Sequence, residues 1–353
     1  MSSLDRQLLR IFLVCGTVAI AACSLVDEDL RDCPPPSPTK ECELDYTLQL
    51  VTNMTTELTT QLSMETDIRL SSSLKTHLSS VFTDFAHDVD LSFYDVQGDS
   101  SRLHHEAHIM DASQSSYTLS IPVRDYMHLA LANLEENPQL TLAGDDKCHR
   151  ARIGQELKDT VDSHRSGIFT ARLPMAMREG EDQQFDVHLY MANCASALVM
   201  DTVGVHCKDV RVFVTGFANS FSLADSTYHF DHPSIVRTQQ VEVKDDPTSP
   251  LCFSAVTFPS REEPQSKVVI ETEEPFESEA ANQALWQVQI YITTEDGSVT
   301  QSVLGIRTPL RPGQFKLIRC RVQEDGRVDP EDTTVAVVVH LNWSPGSQWD
   351  VIM

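Results

Sequence analysis

Apolar and polar residues alternate along most of this chain. Over residues 43–51, Leu44, Tyr46, Leu48 and Leu50 fall on one side and Glu43, Asp45, Thr47 and Gln49 on the other, the period of a half-buried strand. Val89, Leu91 and Phe93 repeat the pattern, and residues 117–123 and 126–134 extend it. One segment changes period: Leu74, Leu78, Val81, Phe82 and Phe85 recur at helical spacing, with Ser71, Ser72 and Ser73 ahead of them to supply a cap. Residues 135–181 lose the alternation and read as a helix and a long loop. Alternation returns with Phe185, Val187, Leu189 and Met191, then with Val210, Val212 and Val214, and later with Trp286, Val288, Ile290 and Ile292 and with Phe315, Leu317 and Arg319. Asp296-Gly297 and Asp325-Gly326 separate such runs and signal tight hairpins.

The last run, residues 334–343, places Val335, Val337, Val339, Leu341 and Trp343 on one face. Such a strand is either internal to its own domain or given to a partner. The whole pattern predicts a mainly β fold of two tandem antiparallel β-sandwich domains, residues 43–181 and 182–353, with one short helix in the first. No solenoid or propeller repeat appears.

The N-terminus has a different organisation. Arg6 and Arg10 precede an apolar run of twelve residues, 11–22, too short to span a bilayer and followed by acids instead of positive flanks. This is the layout of a secretory signal over residues 1–22. Ile20-Ala21-Ala22-Cys23 resembles the bacterial lipobox, which implies cleavage between Ala22 and Cys23 and acylation of the Cys23 thiol. Each buried methylene of an acyl chain contributes about 0.8 kcal/mol, so two or three chains anchor firmly. Asp27, Glu28 and Asp29 then resemble the acidic tag that sends lipoproteins to the cell surface. Pro34, Pro35, Pro36 and Pro38 favour an extended spacer, so residues 23–42 read as a lipidated tether.

Charge and cysteine usage narrow the function. The formal charge is −25, and loss of residues 1–22 removes one negative and two positive charges, leaving −26. Nucleic acid is excluded as a partner, because phosphate binding needs clustered Lys and Arg. Seven cysteines remain after Cys15 and Cys23 are set aside, an odd number with no CxxC spacing, and Cys33 with Cys42 is the nearest local pair. His104, His105, Glu106 and His108 fall one residue short of the HExxH zinc spacing. Asp111, Ser113 and Ser115 match the Asp-x-Ser-x-Ser pattern of metal-dependent adhesion sites but follow an antiparallel pattern instead of a buried parallel strand. With no GxSxG, phosphate loop or dinucleotide fingerprint, no catalytic, cofactor or metal residue is assigned, and a non-enzyme is expected.

Read in order, "CSLVDEDLRDCP", "YTLQLV", "VDLSFYDVQGD", "YTLSIPVRDYMHLALANL", "FDVHLYMANCASALVM", "VRVFVTGF" and "VVVHLNWSPGSQWDVIM" resemble the lipoprotein anchor subunits of type V (fimbrillin-type) fimbriae. The polar insertion at residues 144–167 departs from that pattern. The resemblance implies transthyretin-like sandwich domains and a place at the fimbrial base. Acylated Cys23 would hold outer-membrane lipid, and a shaft pilin would be held by β-strand addition, ending fimbrial growth. The same features leave a second reading open, a surface glycan-binding lipoprotein or accessory tip adhesin, with Trp286, Trp343 and Trp349 as sugar platforms.

Overall fold

Strands begin where alternation begins. The computed structural model describes residues 40–65, 67–82, 88–107, 116–179, 183–202, 204–232, 234–243, 250–264 and 283–344. Its first strand, Glu41–Val51, buries Leu44, Tyr46 and Leu48 and turns Glu43, Asp45 and Gln49 to solvent. Two helices follow where the pattern predicts one: α1 (Met54–Leu62) and α2 (Ile68–Val81). Met54, Leu58 and Leu62 bury one face of α1, and Leu70, Leu74, Leu78 and Val81 that of α2. The cap of α2 is Asp67, not the serine run. Its Oδ1 accepts from the backbone N–H of Arg69 at 2.9 Å and of Leu70 at 3.1 Å, while Ser71, Ser72 and Ser73 lie inside the helix.

The fold is mainly β, with sheets packed face to face. Seven strands form one sheet in the order Arg102–Glu106, Val89–Asp95, Asp125–Ala132, Phe169–Ala176, Gln183–Met191, Glu41–Val51, Ser116–Pro122. Its inner face packs on both helices, whose other side meets Ala195, Ala197, Val199, Cys252 and Phe315 of a five-stranded sheet. That second sheet runs Gln239–Val241, Leu251–Thr257, Cys194–Asp201, Phe315–Val322, Val328–Pro330. Its far face buries Leu198, Met200, Phe253 and Ile318 against Val212, Trp286, Ile290 and Leu304 of a six-stranded sheet. The third sheet runs Val335–Trp343, Val299–Ile306, Trp286–Thr294, Cys207–Thr215, Ile235–Arg237, Thr160–Asp162. A small sheet of Thr227–His229, Ser220–Ser222, Arg152–Gln155 and Leu140–Ala143 covers Tyr94, Leu129 and Leu131 on the outer face of the seven-stranded sheet.

Pairing is not antiparallel throughout. Glu41–Val51 runs parallel to Gln183–Met191, Cys194–Asp201 to Phe315–Val322, and Ile235–Arg237 to Thr160–Asp162. These ladders also cross the division expected between residues 181 and 182. Gln183–Met191, on the C-terminal side of it, pairs from Leu44↔Gln183 to Val51↔Tyr190 in the first sheet. Arg152–Gln155 and Thr160–Asp162, on the N-terminal side, pair with Ser220–Ser222 and Ile235–Arg237. Residues 42–353 accordingly form one compact unit.

Residues 135–179 hold no α-helix among the described residues. They supply the strands Leu140–Ala143, Arg152–Gln155, Thr160–Asp162 and Phe169–Ala176 and one 3-10 turn, Cys148–Arg150. The first three are three or four residues long and bury only one apolar side chain each, too few to register as a period. Both Asp-Gly pairs do turn hairpins: Gly297 and Gly326 adopt φ of 83° and 80°, the left-handed region that glycine enters without a Cβ penalty.

Candidate partner-binding strand

The lipidation and cleavage residues Cys23 and Ala22 lie outside the described residues, as do Cys33, His108, residues 111–115 and Trp349. Among the described residues no helix is long and apolar enough to cross a membrane. The other assigned residues all lie on Val335–Trp343.

That strand pairs antiparallel with Val299–Ile306 from Ile306↔Val335 to Val299↔Trp343, and it ends the six-stranded sheet. Among the described residues no strand pairs with its far edge. The sequence places five apolar residues on one face, and the structure divides them. The register slips between Val303↔Val339 and Leu304↔Val337, which leaves Val338 as an extra, bulged residue. Residues directly opposite in an antiparallel pair share a face, so Val335 and Val337 lie with core residues Ile306 and Leu304. Beyond the bulge, Val339, Leu341 and Trp343 lie opposite Val303, Gln301 and Val299, on the outer face.

His340 and Asn342 take the inward positions, opposite Ser302 and Thr300. The His340 Nδ1 lies 2.8 Å from Ser302 Oγ, and burial lowers its pKa. Val335 is buried, whereas Leu341 is 46 % exposed. On the same outer face, Phe213 and Tyr291 meet edge to face at 6.0 Å, and Gln301 Nε2 donates to the Tyr291 hydroxyl at 2.8 Å. The site is therefore an edge of backbone donors and acceptors flanked by apolar side chains, an arrangement that can take a strand. A one-residue bulge leaves no mark on hydropathy, so the split face was not legible in the sequence.

The remaining constellations have structural partners. Alternation sends His104 and His105 to opposite faces, where His104 Nε2 meets Glu106 Oε1 at 2.8 Å and His105 Nδ1 meets Ser92 Oγ at 3.0 Å. No group of three His, Cys, Asp or Glu that could hold a metal occurs among the described residues. Burial pushes the thiols of Cys194 and Cys252 up to about 12, so both act as small apolar core groups. Trp286 is 1 % exposed and its Nε1–H donates to the Thr308 carbonyl at 3.0 Å, which withdraws it as a sugar platform.

No protein-family model and no curated protein matches the chain. Solved structures do resemble it in outline. A candidate adhesin from Bacteroides ovatus is 11 % identical over 87 % of this chain and 97 % of its own, with a TM-score of 0.49. A candidate cell adhesion protein from Bacteroides eggerthii is 11 % identical over 88 % and 98 %, with a TM-score of 0.46. The fimbrial anchor protein Mfa2 from Porphyromonas gingivalis is 9 % identical over 85 % and 97 %, with a TM-score of 0.43.

Proposed function

We propose that the chain is an outer-membrane lipoprotein that holds a fimbrial shaft to the cell surface and ends its growth. The observation that carries this reading is the lipobox ending at Cys23, joined by an acidic, proline-rich tether to a β-sheet body. A signal that ends in an acylated cysteine fixes one end of the molecule to lipid. The outer edge of residues 335–339, which no strand pairs among the described residues, supports the other half of the reading, since a pilin held by strand addition needs an unpaired ladder or a strand to receive. In this geometry the strand serves more readily as an acceptor, because donating it would break its own ladder with Val299–Ile306. The chain has no enzymatic role in this reading.

Replacing Cys23 by alanine removes the thiol that takes the lipid. Metabolic labelling with a clickable fatty acid should mark the wild type and not Cys23→Ala, and equal label on both would end the lipoprotein reading. Cells lacking the protein should still polymerise fimbriae but shed them into the medium without a fixed length. Fimbriae that stay attached at normal length would exclude the anchoring role.

A further inference from the structure

The outer face of the seven-stranded sheet is only partly covered. The small sheet packs over Tyr94, Leu129 and Leu131 and ends at its hairpin of Ser220–Ser222 and Thr227–His229, leaving the neighbouring strands Phe169–Ala176 and Gln183–Met191 open. A groove of about 580 Å³ lies where the hairpin wall meets that open face. Alternation along Gln183–Met191 sends Val187, Leu189 and Met191 into the core and Asp186, His188 and Tyr190 outward into the groove. Arg172 joins them from the adjacent strand, and Asp225 faces them from the hairpin turn.

The wall is fixed. The Tyr228 hydroxyl donates to the Ala192 carbonyl at 2.8 Å, its ring packs on Phe221 at 4.7 Å, and Asp225 Oδ1 accepts from Thr227 Oγ1 at 2.6 Å. Hydrogen bonds from Thr227 and Ser222 hold the Asp225 carboxyl below the usual carboxylate range, so it stays an acceptor. Ser226, also in the lining, sits at φ 57°, a left-handed conformation that costs a serine about 1 kcal/mol. Across from this wall Asp186 accepts from Gln184 Nε2 at 3.3 Å, and the other polar groups are unspent. Surface arginines such as Arg102, Arg178 and Arg311 are engaged by Asp145, Asp125 and Glu262. The side chains of Arg172, His188 and Tyr190 have no hydrogen-bond or ion-pair partner among the described residues, and Tyr190 is 59 % exposed.

Two features select the ligand over one competitor. The two strands pair with each other only at Tyr190↔Thr170 and Met191↔Phe169, so where they diverge an extended peptide is the competing ligand. One guanidinium faces two carboxylates, in a chain of charge −25, which disfavours an anion. An open aromatic ring beside unspent donors and acceptors suits a ring-shaped polyol with one apolar face. We propose that this groove binds a neutral oligosaccharide, one pyranose stacking on Tyr190 while its hydroxyls donate to Asp186 and Asp225 and accept from Arg172 and His188. The site is independent of anchoring: it uses neither the lipid nor the strand Val335–Trp343.

Saturation-transfer NMR and calorimetry on the full chain carrying Cys23→Ala test it, with neutral trisaccharides of glucose, mannose, galactose and N-acetylglucosamine as probes and a trisaccharide of uronic acids as the charged control. At least one neutral probe should bind, with transfer strongest to the C–H face of one ring. Tyr190→Ala should weaken binding roughly tenfold, Tyr190→Phe by less than about threefold, and Arg172→Gln or Asp225→Asn by roughly three- to tenfold, as expected for a lost stack or hydrogen bond. Thermal unfolding of Tyr190→Ala and Arg172→Gln should match the parent, since both side chains are exposed. Absence of binding by all four neutral probes, tighter binding of the uronic acid or of a synthetic peptide of residues 334–343, or affinity unchanged in Tyr190→Ala would each overturn the assignment. Fimbriae should remain attached in Tyr190→Ala cells, which separates failure of this site from failure of the anchor.

Discussion

His128 and His164 are both fully buried, and they differ in what surrounds them. The His128 Nδ1 lies 3.0 Å from the Ser92 carbonyl, and its Nε2 meets the Tyr46 hydroxyl, so the ring is a neutral tautomer with both nitrogens used. Neither ring nitrogen of His164 has a partner among the described residues, and its ring packs edge to face on Phe258 at 5.0 Å. Burial pushes their pKa values from 6.5 down to about 4 and about 3. Below pH 6.5 the unfolded chain therefore takes up protons that the folded chain refuses. The stabilisation from the neutral rings is complete above pH 6.5 and is lost as pH falls toward 4, on the order of 3 kcal/mol for each ring. Thermal unfolding followed from pH 8 to pH 4 should be level above pH 7 and fall steeply below 6.5. His164→Leu should flatten that fall and raise the midpoint at pH 5, because it removes an unpartnered polar ring. His128→Leu should instead lower stability above pH 7 by about 1 to 3 kcal/mol, since it strips partners from two buried groups, and should also flatten the fall below pH 6.5. A flat profile in the wild type would mean that the rings are not held neutral.

At the scale of elements, the bulge at Val338 makes neighbouring residues of one strand separable. Val337 packs against the core between the five- and six-stranded sheets, whereas Leu341 faces outward. Val337→Lys should lower stability by about 2 kcal/mol or more, and Leu341→Lys should leave it within about 0.5 kcal/mol while weakening pilin capture. Equal loss of stability in both would mean that the apolar face is continuous after all. Removing everything after Asp332 should destabilise the body, because it exposes Leu304 and Ile306 together. The sequence made the long runs legible: Glu41–Val51, Trp286–Thr294 and Val335–Trp343 each span four or more alternations. It hid α1, where Thr55, Thr56, Thr59 and Thr60 are poor helix formers and only Met54, Leu58 and Leu62 mark the buried face. It also hid the groove, since Asp186, His188 and Tyr190 read as the ordinary solvent side of a strand until a hairpin from residues 220–229 is brought beside them. The lipobox-like run ending at Cys23 is a local pattern that needs no tertiary contact to be read, and it lies outside the described residues.

At the scale of the whole molecule, the chain reads as two successive halves, but the fold interleaves them. Parallel ladders join strands more than a hundred residues apart, and alternation along a single strand carries no sign of its partner. That interleaving matters for a body tethered at one end. In the proposed function the chain is held at its N-terminal end, so load reaches the described residues at Glu41–Val51, which lies inside its sheet between Gln183–Met191 and Ser116–Pro122. A pull on Glu41 along the axis of this strand slides the ladder from Leu44↔Gln183 to Val51↔Tyr190 lengthwise and loads its hydrogen bonds all together, not one after another as in peeling. Resistance to such a load is set by the rate of forced rupture, not by equilibrium stability. Stretching single molecules from residue 40 should give a high first rupture force, and Leu48→Pro, which deletes a donor in mid-strand, should lower it. Rupture at equal force in both would show that tension bypasses this strand. In such a body the first strand acts as a mechanical clamp, and shear flow over the cell is borne by a shearing ladder before any part of the fold can peel.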